Sequence, residues 1–271
     1  MKNELVVVRG GGDIATGTIY KLIKCGYRVL VLEAKKPSAI RRNVAFSEAV
    51  YEGSWKVEDV TARLVKSLEE AEKVMTAGEA AVMVDAECRV LEQVKPAVLV
   101  DGILAKKNLG TTRGMAPVTI ALGPGFTAGE DVDAVIETMR GHQLGRVILE
   151  GPAIPNTGIP GNVGGVTKER VIYSPAEGIL KNVKHITDTV EKGEIVAYVE
   201  TAQGKVEIPA AISGLLRGMI RDGYKVTKGF KIADIDPRIS EYENCFTISD
   251  KARCIAGGVL EAILYLQNQK K

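Results

Sequence analysis

The chain has 271 residues, of which 45% are hydrophobic and 26% are charged, and its formal net charge is +2. This length and composition are typical of a soluble globular protein with two modest domains, each with its own core. The nearly balanced charge excludes an extended nucleic-acid-binding surface, and the start of the chain fits neither a signal peptide nor a membrane anchor. The apolar stretch 255–266 is too short to span a bilayer.

The cysteines are scattered along the chain and form no CxxC pair. With only two histidines to join them, they show no zinc-ligand spacing, so no metal site is expected. Reduced thiols of this kind favour a cytoplasmic protein. The four positions are Cys25, Cys88, Cys245 and Cys254.

The chain opens with an apolar run at residues 5–8, the glycine-rich stretch RGGGDIATG at 9–17, and an apolar helical pattern from Ile14 to Ile23. This order predicts a strand, a glycine turn and a helix. A second apolar run ends at Glu33, about 20 residues after the turn, where a Rossmann-like fold places an acid on a ribose.

Gly10, Gly12 and Ala15 fit the pattern G-x-G-x-x-A, which brings backbone close to a pyrophosphate at the start of a helix. We therefore expect a nucleotide or related cofactor to contact Gly10, Gly11, Gly12, Asp13, Ile14 and Glu33. Two alternatives stay open. The turn could belong to an α/β domain without ligand, and the Asp13 carboxylate could cap the helix in place of an anion.

Further apolar runs predict strands that end at Asp85, Asp101, Leu122 and Glu150, and helical patterns lie near 58–77 and 130–140. This alternation predicts a Rossmann-like, doubly wound, mostly parallel sheet over residues 1–154. Ligands of such sheets bind at the carboxyl ends of the strands, where Asp85 and Asp101 would join Gly12 and Glu33. The alternative is that these two aspartates cap loops.

Several loop residues are candidates for contact with an anionic ligand. Arg41 and Arg42 follow the second strand, and an exposed basic turn is the alternative explanation. Thr127 is expected to cap the helix at 130–140, and His142 follows the glycine at its end, with a surface histidine as the alternative. The loop after Asp101 contributes Lys106, Lys107 and Asn108.

The second half begins with a Gly/Pro-rich linker or loop at 155–169, followed by two similar segments that start at Gly178 and Gly214, 36 residues apart. This repeat predicts a small all-β domain over 170–238. The hairpin between the repeats resembles that of lipoyl and biotinyl carrier domains, which are barrel-sandwich hybrids. Gln203 stands where that family has its modified lysine, so no lipoyl or biotinyl group is expected. Residues 239–271 predict a C-terminal helix that packs back on the N-terminal domain.

Eight stretches together resemble one family over almost the whole chain, the YqeB-type accessory proteins of selenium-dependent molybdenum hydroxylases, which are relatives of the xanthine dehydrogenase (XdhC-like) accessory factors. They include RGGGDIATG, IRRNVAFSEAVYEG, LAKKNLGTT, PNTGIPG and ISDKARCIAGGVLEAIL. The resemblance implies a cytoplasmic maturation factor that binds a nucleotide or a molybdopterin (dinucleotide) cofactor and serves a molybdenum hydroxylase client. A homodimer would suit such a factor. The family supplies no catalytic residues to carry over.

The alternative function is an NAD(P)-dependent oxidoreductase in which Glu33 binds the ribose. Such an enzyme needs a proton donor near the hydride, and the chain places none at a diagnostic spacing. The sequence therefore favours handling of a small anionic, nucleotide-like ligand over its oxidation, with no nucleic acid and no membrane as partner.

Overall fold

The structure is a computed structural model that describes residues 3–269. The chain forms two compact units. Unit 1 comprises the chain up to Pro37, the segment Val44–Thr157 and the chain from Ile248 onward, whereas unit 2 comprises Ser38–Asn43 and Gly158–Thr247. The short segment Ser38–Asn43 thus lies with unit 2, although the sequence assigned all of 1–154 to one domain.

Unit 1 contains a nine-stranded sheet, a two-stranded sheet and four helices. The helices are α1 (Asp13–Lys24), α2 (Ala49–Glu52), α3 (Leu68–Thr76) and α4 (Asp250–Gln269). The strands are β1 (Leu5–Arg9), β2 (Arg28–Glu33), β3 (Ser54–Val57), β4 (Val60–Val65), β5 (Ala80–Val84), β6 (Val98–Asp101), β7 (Val118–Leu122), β8 (Thr127–Ala128), β9 (Ala134–Ile136), β10 (Val147–Ile148) and β11 (Gly151–Pro152).

The large sheet has the strand order β10-β9-β7-β6-β1-β2-β5-β4-β3. Its inner strands are parallel to their neighbours, and the two edge strands, β3 and β10, are antiparallel to theirs. In β1, Val7 pairs with Leu30 of β2 on one side and with Leu99 of β6 on the other. The strand β1 therefore lies at the centre of the sheet, and the turn that follows it opens at the carboxyl edge.

The strands form because short runs rich in Val, Leu and Ala are buried on both faces, as parallel sheets require. Alternate residues of β1 belong to different cores: Val6 and Val8 pack with α1 and α4, whereas Val7 packs on the opposite face with α3. Within the first core, Gly17 of α1 lies against Ala252 of α4 so closely that a Cβ would come within 2.8 Å. The small residue lets the two helices approach each other.

Two predicted helices are wrong in whole or in part. Around 58–77 the chain forms the hairpin β3–β4 before α3 begins, and around 130–140 it forms β9. In the second region the carboxylate of Asp131 accepts the amide of Thr127, and that of Asp133 accepts the amide and hydroxyl of Thr119. The Asp131 bond within the segment and the Asp133 bonds to the neighbouring strand β7, together with β-branched residues, favour extended backbone over a helix.

The predicted fold class is corrected accordingly. Unit 1 has a large mixed sheet, with antiparallel strands at both edges, in place of the predicted doubly wound parallel sheet. The described connections from β5 to β6, β6 to β7 and β7 to β9 contain no α-helix, so strands and helices do not alternate there as a doubly wound sheet requires. The C-terminal helix α4 is part of unit 1, where it packs against α1.

Unit 2 consists of two additional four-stranded antiparallel sheets, ordered β12-β19-β17-β14 and β16-β15-β13-β18. Its core contains Leu180, Leu216 and Ile235. The strands are β12 (Val171–Tyr173), β13 (Gly178–Asn182), β14 (Thr189–Val190), β15 (Ile195–Thr201), β16 (Gly204–Pro209), β17 (Gly214–Met219), β18 (Lys225–Val226) and β19 (Lys231–Asp236).

The repeat starts, Gly178 and Gly214, are the first residues of β13 and β17. A Cβ at either glycine would collide with a backbone carbonyl oxygen of the neighbouring strand, that of Glu200 or that of Asp236. Glycine is therefore required at both positions by close backbone approach. Between the repeats, Thr201 pairs with Gly204, which places Ala202 and Gln203 at the tip of the β15–β16 hairpin.

None of the helices within residues 3–269 is both long and apolar enough to cross a bilayer.

Candidate functional site at the carboxyl edge of the large sheet

The turn between β1 and α1 consists of three glycines with different surroundings. Gly10 has φ +88°, and a Cβ there would lie 3.1 Å from the backbone of Ile103. A Cβ on Gly11 would lie 3.0 Å from the amide nitrogen of Ser47, whereas one on Gly12 would meet nothing within 4 Å. The first two glycines are therefore packed against backbone, and the third faces open space.

The first turn of α1 offers unpaired backbone donors beside that open space. Gly12 is the N-cap, with φ −64° and ψ 174°, and supplies no side-chain cap to this twelve-residue helix. Its carbonyl oxygen accepts the amide of Thr16, but the amides of Gly12 and Ile14 have no hydrogen-bond partner within 3–269. Asp13 is the acidic residue of this first turn. Amides at the start of a helix carry partial positive charge and favour an anion.

Glu33, the last residue of β2, is bonded directly to the glycine turn. Its carboxylate accepts the amide of Gly11 at 2.7 Å and the amide of Ala34 at 2.7 Å. Burial raises the pKa of Glu33 above its ordinary value, although these two amides act in the opposite direction. A carboxylate has about four acceptor positions, so two remain for donors of a ligand.

A buried charged network lies beneath the turn, at the ends of β1 and β6. Arg9 is 4% exposed, and its guanidinium lies 3.4 Å from the carboxylate of Asp101, which is 2% exposed. Thr111, which is fully buried, donates its hydroxyl to Asp101 at 2.6 Å and accepts a short hydrogen bond from Arg9. Arg9 also donates to the carbonyl oxygens of Ala86 and Leu109. This network ties the ends of β1 and β6 to the loops after β5 and β6, and it makes Asp101 a structural ion-pair partner of Arg9.

The loop after β6 carries the lysines predicted from the sequence. Leu104 and Lys106 have φ +57° and +62°, a backbone conformation that costs energy for residues other than glycine. Asn108 shapes the loop: its side-chain oxygen accepts two amides of the same loop, and its amide group donates to Thr111. Both Lys106 and Lys107 are exposed. Asn108 thus holds the loop instead of contributing a free ligand-binding group.

Apolar side chains are exposed at the same edge. Val84 at the end of β5 is 42% exposed, Ile103 after β6 is 36% exposed, and Leu109 is 45% exposed. Val84 pairs with Glu33 across neighbouring strands, and Ile103 abuts Gly10. The edge therefore combines apolar surface, a carboxylate, unpaired amides and lysines.

Arg41 and Arg42 belong to unit 2, whereas this edge belongs to unit 1. Arg41 donates to the carbonyl oxygen of Asn244 at 2.9 Å, and Arg42 donates to that of Met219 at 2.8 Å. These bonds fasten the segment Ser38–Asn43 within unit 2. The sequence missed this because the bonds join residues far apart in the chain.

Thr127 and His142 follow more distant strands. Thr127 lies in β8, where its amide donates to Asp131, and β8 begins after β7, two strands from β1. His142 is exposed in the turn after β9, three strands or roughly 14 Å across the sheet from β1. Neither is placed among the residues around the glycine turn, and Thr127 caps no helix.

Sequence inspection missed Arg9 and Ser47, and it named Thr111 only as a loop residue suited to an anionic ligand, not as a partner of Arg9 and Asp101. The signal for Arg9 was present, since a charged residue that ends the apolar run LVVV is unusual unless it is paired. Ser47 gave no local signal: its amide donates to the carbonyl oxygen of Gly11 at 2.8 Å, which brings the segment after Val44 over the turn. The described residues contain no group of three or more His, Cys, Asp or Glu side chains arranged to hold a metal ion.

Comparison with known proteins gives one curated relative, described as "Uncharacterized protein YqeB" of Escherichia coli strain K12. It is 52% identical over 267 residues, which are 98% of this chain and 48% of the relative. The chain thus spans about half the length of the relative it matches. No family model matches the chain.

Solved structures that match have low similarity. The ectoine utilization protein EutE (DoeB) of Ruegeria pomeroyi is 10% identical, with a TM-score of 0.27, over 86% of this chain and 85% of that chain. An aspartoacylase family protein of Mesorhizobium loti is 12% identical, with a TM-score of 0.28, over 87% and 85%. A succinylglutamate desuccinylase/aspartoacylase of Rhodobacter sphaeroides is 10% identical, with a TM-score of 0.28, over 86% and 85%. Likeness at this level carries no argument about reaction or substrate.

These findings overturn the predicted kinship and function. The YqeB relative is described only as uncharacterized. This description supplies no link to XdhC-like accessory factors, to a molybdenum hydroxylase or to hydride transfer. The prediction of a maturation factor for a selenium-dependent molybdenum hydroxylase is therefore corrected, together with its oxidoreductase alternative.

Proposed function

We propose that unit 1 binds a phosphorylated, nucleotide-like small molecule at the carboxyl edge of β1, β2, β5 and β6. The observation that carries the proposal is the start of α1, where the amides of Gly12 and Ile14 are unpaired and Gly12 faces open space. A phosphate at this position would accept both amides and meet the positive end of the helix. No side chain of Gly12 obstructs it.

The neighbouring groups support a nucleoside attached to that phosphate. Glu33 is held at the turn with acceptor positions to spare, which suits the hydroxyl groups of a ribose. Val84 and Ile103 supply exposed apolar surface on either side of the turn, which suits the faces of a heteroaromatic base. The ligands expected from the sequence, a molybdopterin dinucleotide and NAD(P), share these parts, and the proposal keeps only what they share.

Replacement of Gly12 by Asp tests the proposal, because it separates binding from folding. The φ and ψ of Gly12 are those of an N-cap, so an Asp there supplies the cap that α1 lacks and holds or raises the melting temperature. Its carboxylate would occupy the phosphate position and repel the ligand. Isothermal titration of the purified chain with AMP and ADP should show binding to the wild type and at least a tenfold loss in Gly12→Asp.

Gly114→Asp is the matched control for charge and for loss of a glycine. Gly114 is exposed and precedes β7 at the amino edge of the sheet. A Cβ added there would lie 4.0 Å from the nearest atom, the side-chain oxygen of Thr112. The Gly114→Asp variant should bind AMP and ADP with the affinity of the wild type. Equal affinity in Gly12→Asp and in the wild type would refute the proposed site.

The remaining expectations from the sequence stay predictions. The cytoplasmic location is supported by four free cysteines. The absence of a lipoyl or biotinyl group is supported by Ala202 and Gln203 at the hairpin tip. A homodimer remains to be measured, and no client protein is proposed.

A further inference from the structure

The loop Gly102–Asn108 lies against the proposed nucleotide site and is packed on both sides. A Cβ on Gly102 would come 2.9 Å from the Cβ of Ala15 in α1, and the backbone of Ile103 abuts Gly10. Farther along, a Cβ on Gly125 would come 2.5 Å from the amide nitrogen of Lys107. The backbone of the loop therefore packs against both the β1–α1 segment and the loop after β7.

The same loop is fixed at its base by the buried network. Asp101 precedes it and is bonded to Arg9 and Thr111, and Arg9 also donates to the carbonyl oxygen of Leu109 just after it. At the end of the loop, the side-chain oxygen of Asn108 accepts the amides of Gly110 and Thr111. A loop fixed in this way holds its backbone in one position, which lowers the entropy cost of binding through its side chains.

Lys106 and Lys107 are the cations that this fixed loop presents. Both are exposed, and neither ammonium group has a hydrogen-bond or ion-pair partner in the part of the chain that the structure describes. The charge of Asp101 is matched by Arg9, so it does not neutralise them. Lys106 follows Ile103 by at most about 10 Å of chain, so the lysine side chains can reach a ligand at the glycine turn.

We propose that Lys106 and Lys107 bind a second anionic group of the ligand, so that unit 1 prefers a nucleoside diphosphate to a monophosphate. This inference rests on the proposed function. The first phosphate would accept the amides of Gly12 and Ile14, and the next would lie toward the loop after β6. Two positively charged donors on a fixed loop suit the outer phosphate, whose charge is otherwise exposed to water.

Titrations of the full chain with AMP and ADP test the inference in the wild type and in Lys106→Gln/Lys107→Gln. The wild type should bind ADP about tenfold or more tightly than AMP. The double variant should bind ADP no more tightly than AMP, with its affinity for AMP unchanged. Lys56→Gln/Lys95→Gln, which removes two exposed lysines outside this loop, should keep the wild-type preference.

The outcomes separate the two proposals. If the double variant keeps the preference for ADP, or loses affinity for AMP and ADP equally, the inference about the lysines is overturned while the nucleotide site stands. If the wild type binds neither nucleotide, the proposed function itself fails. The melting temperature of each variant confirms that the folded chain is compared.

Discussion

At the scale of single residues, two side chains at the carboxyl edge have opposite roles. Arg9 is buried and bonded to Asp101, Thr111 and two carbonyl oxygens, so it acts as a support for the surrounding loops. Glu33 is bonded to two backbone amides only and keeps acceptor capacity toward the proposed ligand. Near Arg9, burial raises the pKa of the Cys88 thiol to about 11, which keeps this cysteine protonated and unreactive at neutral pH.

Glu33 should contribute to stability in a pH-dependent manner. Its pKa is raised by burial in the folded chain, so the folded state binds the proton more tightly than the unfolded state does. The resulting stabilisation is complete below the unfolded pKa and is lost as the pH rises through the folded pKa. We expect the free energy of unfolding of the wild type, relative to Glu33→Gln, to fall as the pH rises above the unfolded pKa of about 4.

Urea denaturation at each pH measures this difference. The exposed Glu92→Gln gives the background change for loss of a carboxylate elsewhere in unit 1. If the free energy of unfolding of the wild type, relative to Glu33→Gln, increases as the pH rises, the raised pKa of Glu33 is contradicted.

At the scale of elements, the close packing of α4 depends on glycine at one of two adjacent positions. A Cβ on Gly258 would collide with the carbonyl oxygen of Gly145 and come 3.0 Å from the side chain of Ile136. A Cβ on Gly257, one residue earlier, would meet only the end of the Lys21 side chain, at 3.6 Å. The same substitution should therefore have opposite effects at the two sites.

We expect Gly258→Ala to lower the free energy of unfolding by about 1–3 kcal/mol, because backbone must move to admit the methyl group. Gly257→Ala should raise it by about 0.5–1 kcal/mol, because alanine loses less conformational entropy in a helix. Urea denaturation of the two variants measures both changes. Equal effects at the two positions would show that the contact with Gly145 does not determine the packing of α4.

At the scale of the whole molecule, the two units have separate hydrophobic cores. The core of unit 2 contains no residue of the clusters that lie on the two faces of the large sheet. Within unit 2, Asp236 is buried, which raises its pKa, but hydrogen bonds from Arg238 and the charge of Arg217 outweigh burial, so its pKa is lowered overall. Asp236 therefore stabilises unit 2 above its unfolded pKa, and this contribution is lost on acidification.

Leu180→Ala should destabilise unit 2 by about 2–5 kcal/mol, because it leaves a cavity at a fully buried position of β13. Ile179→Ala removes the adjacent side chain, which is 36% exposed, and should cost under about 1 kcal/mol. Amide hydrogen exchange should show the loss of protection in β13 and β15 for Leu180→Ala and unchanged protection in β1. Faster exchange in β1 to the same extent would contradict separate cores.

Local structure around the glycine turn could be predicted from the sequence alone. The apolar run at 5–8, the three glycines and the helical pattern from Ile14 correspond to β1, the turn and α1, and the second run corresponds to β2. These elements are determined by short-range effects: β-branched residues favour strands, glycine permits the turn, and apolar spacing favours a helix. The closeness of Glu33 to Gly11 could also be predicted, because such elements imply parallel pairing of β1 and β2.

Tertiary structure decided what depends on partners distant in the chain. The sequence suggested a helix near 130–140, but Asp133 bonds to Thr119 of β7 and the segment forms a strand. It made Arg41 a candidate for contact with the ligand, but Arg41 belongs to unit 2 and is bonded there to Asn244. Arg9 is bonded to groups about a hundred residues away, and the antiparallel edge strands make the sheet mixed. Side-chain bonds and strand order of this kind arise only when the chain has folded, so local spacing cannot reveal them.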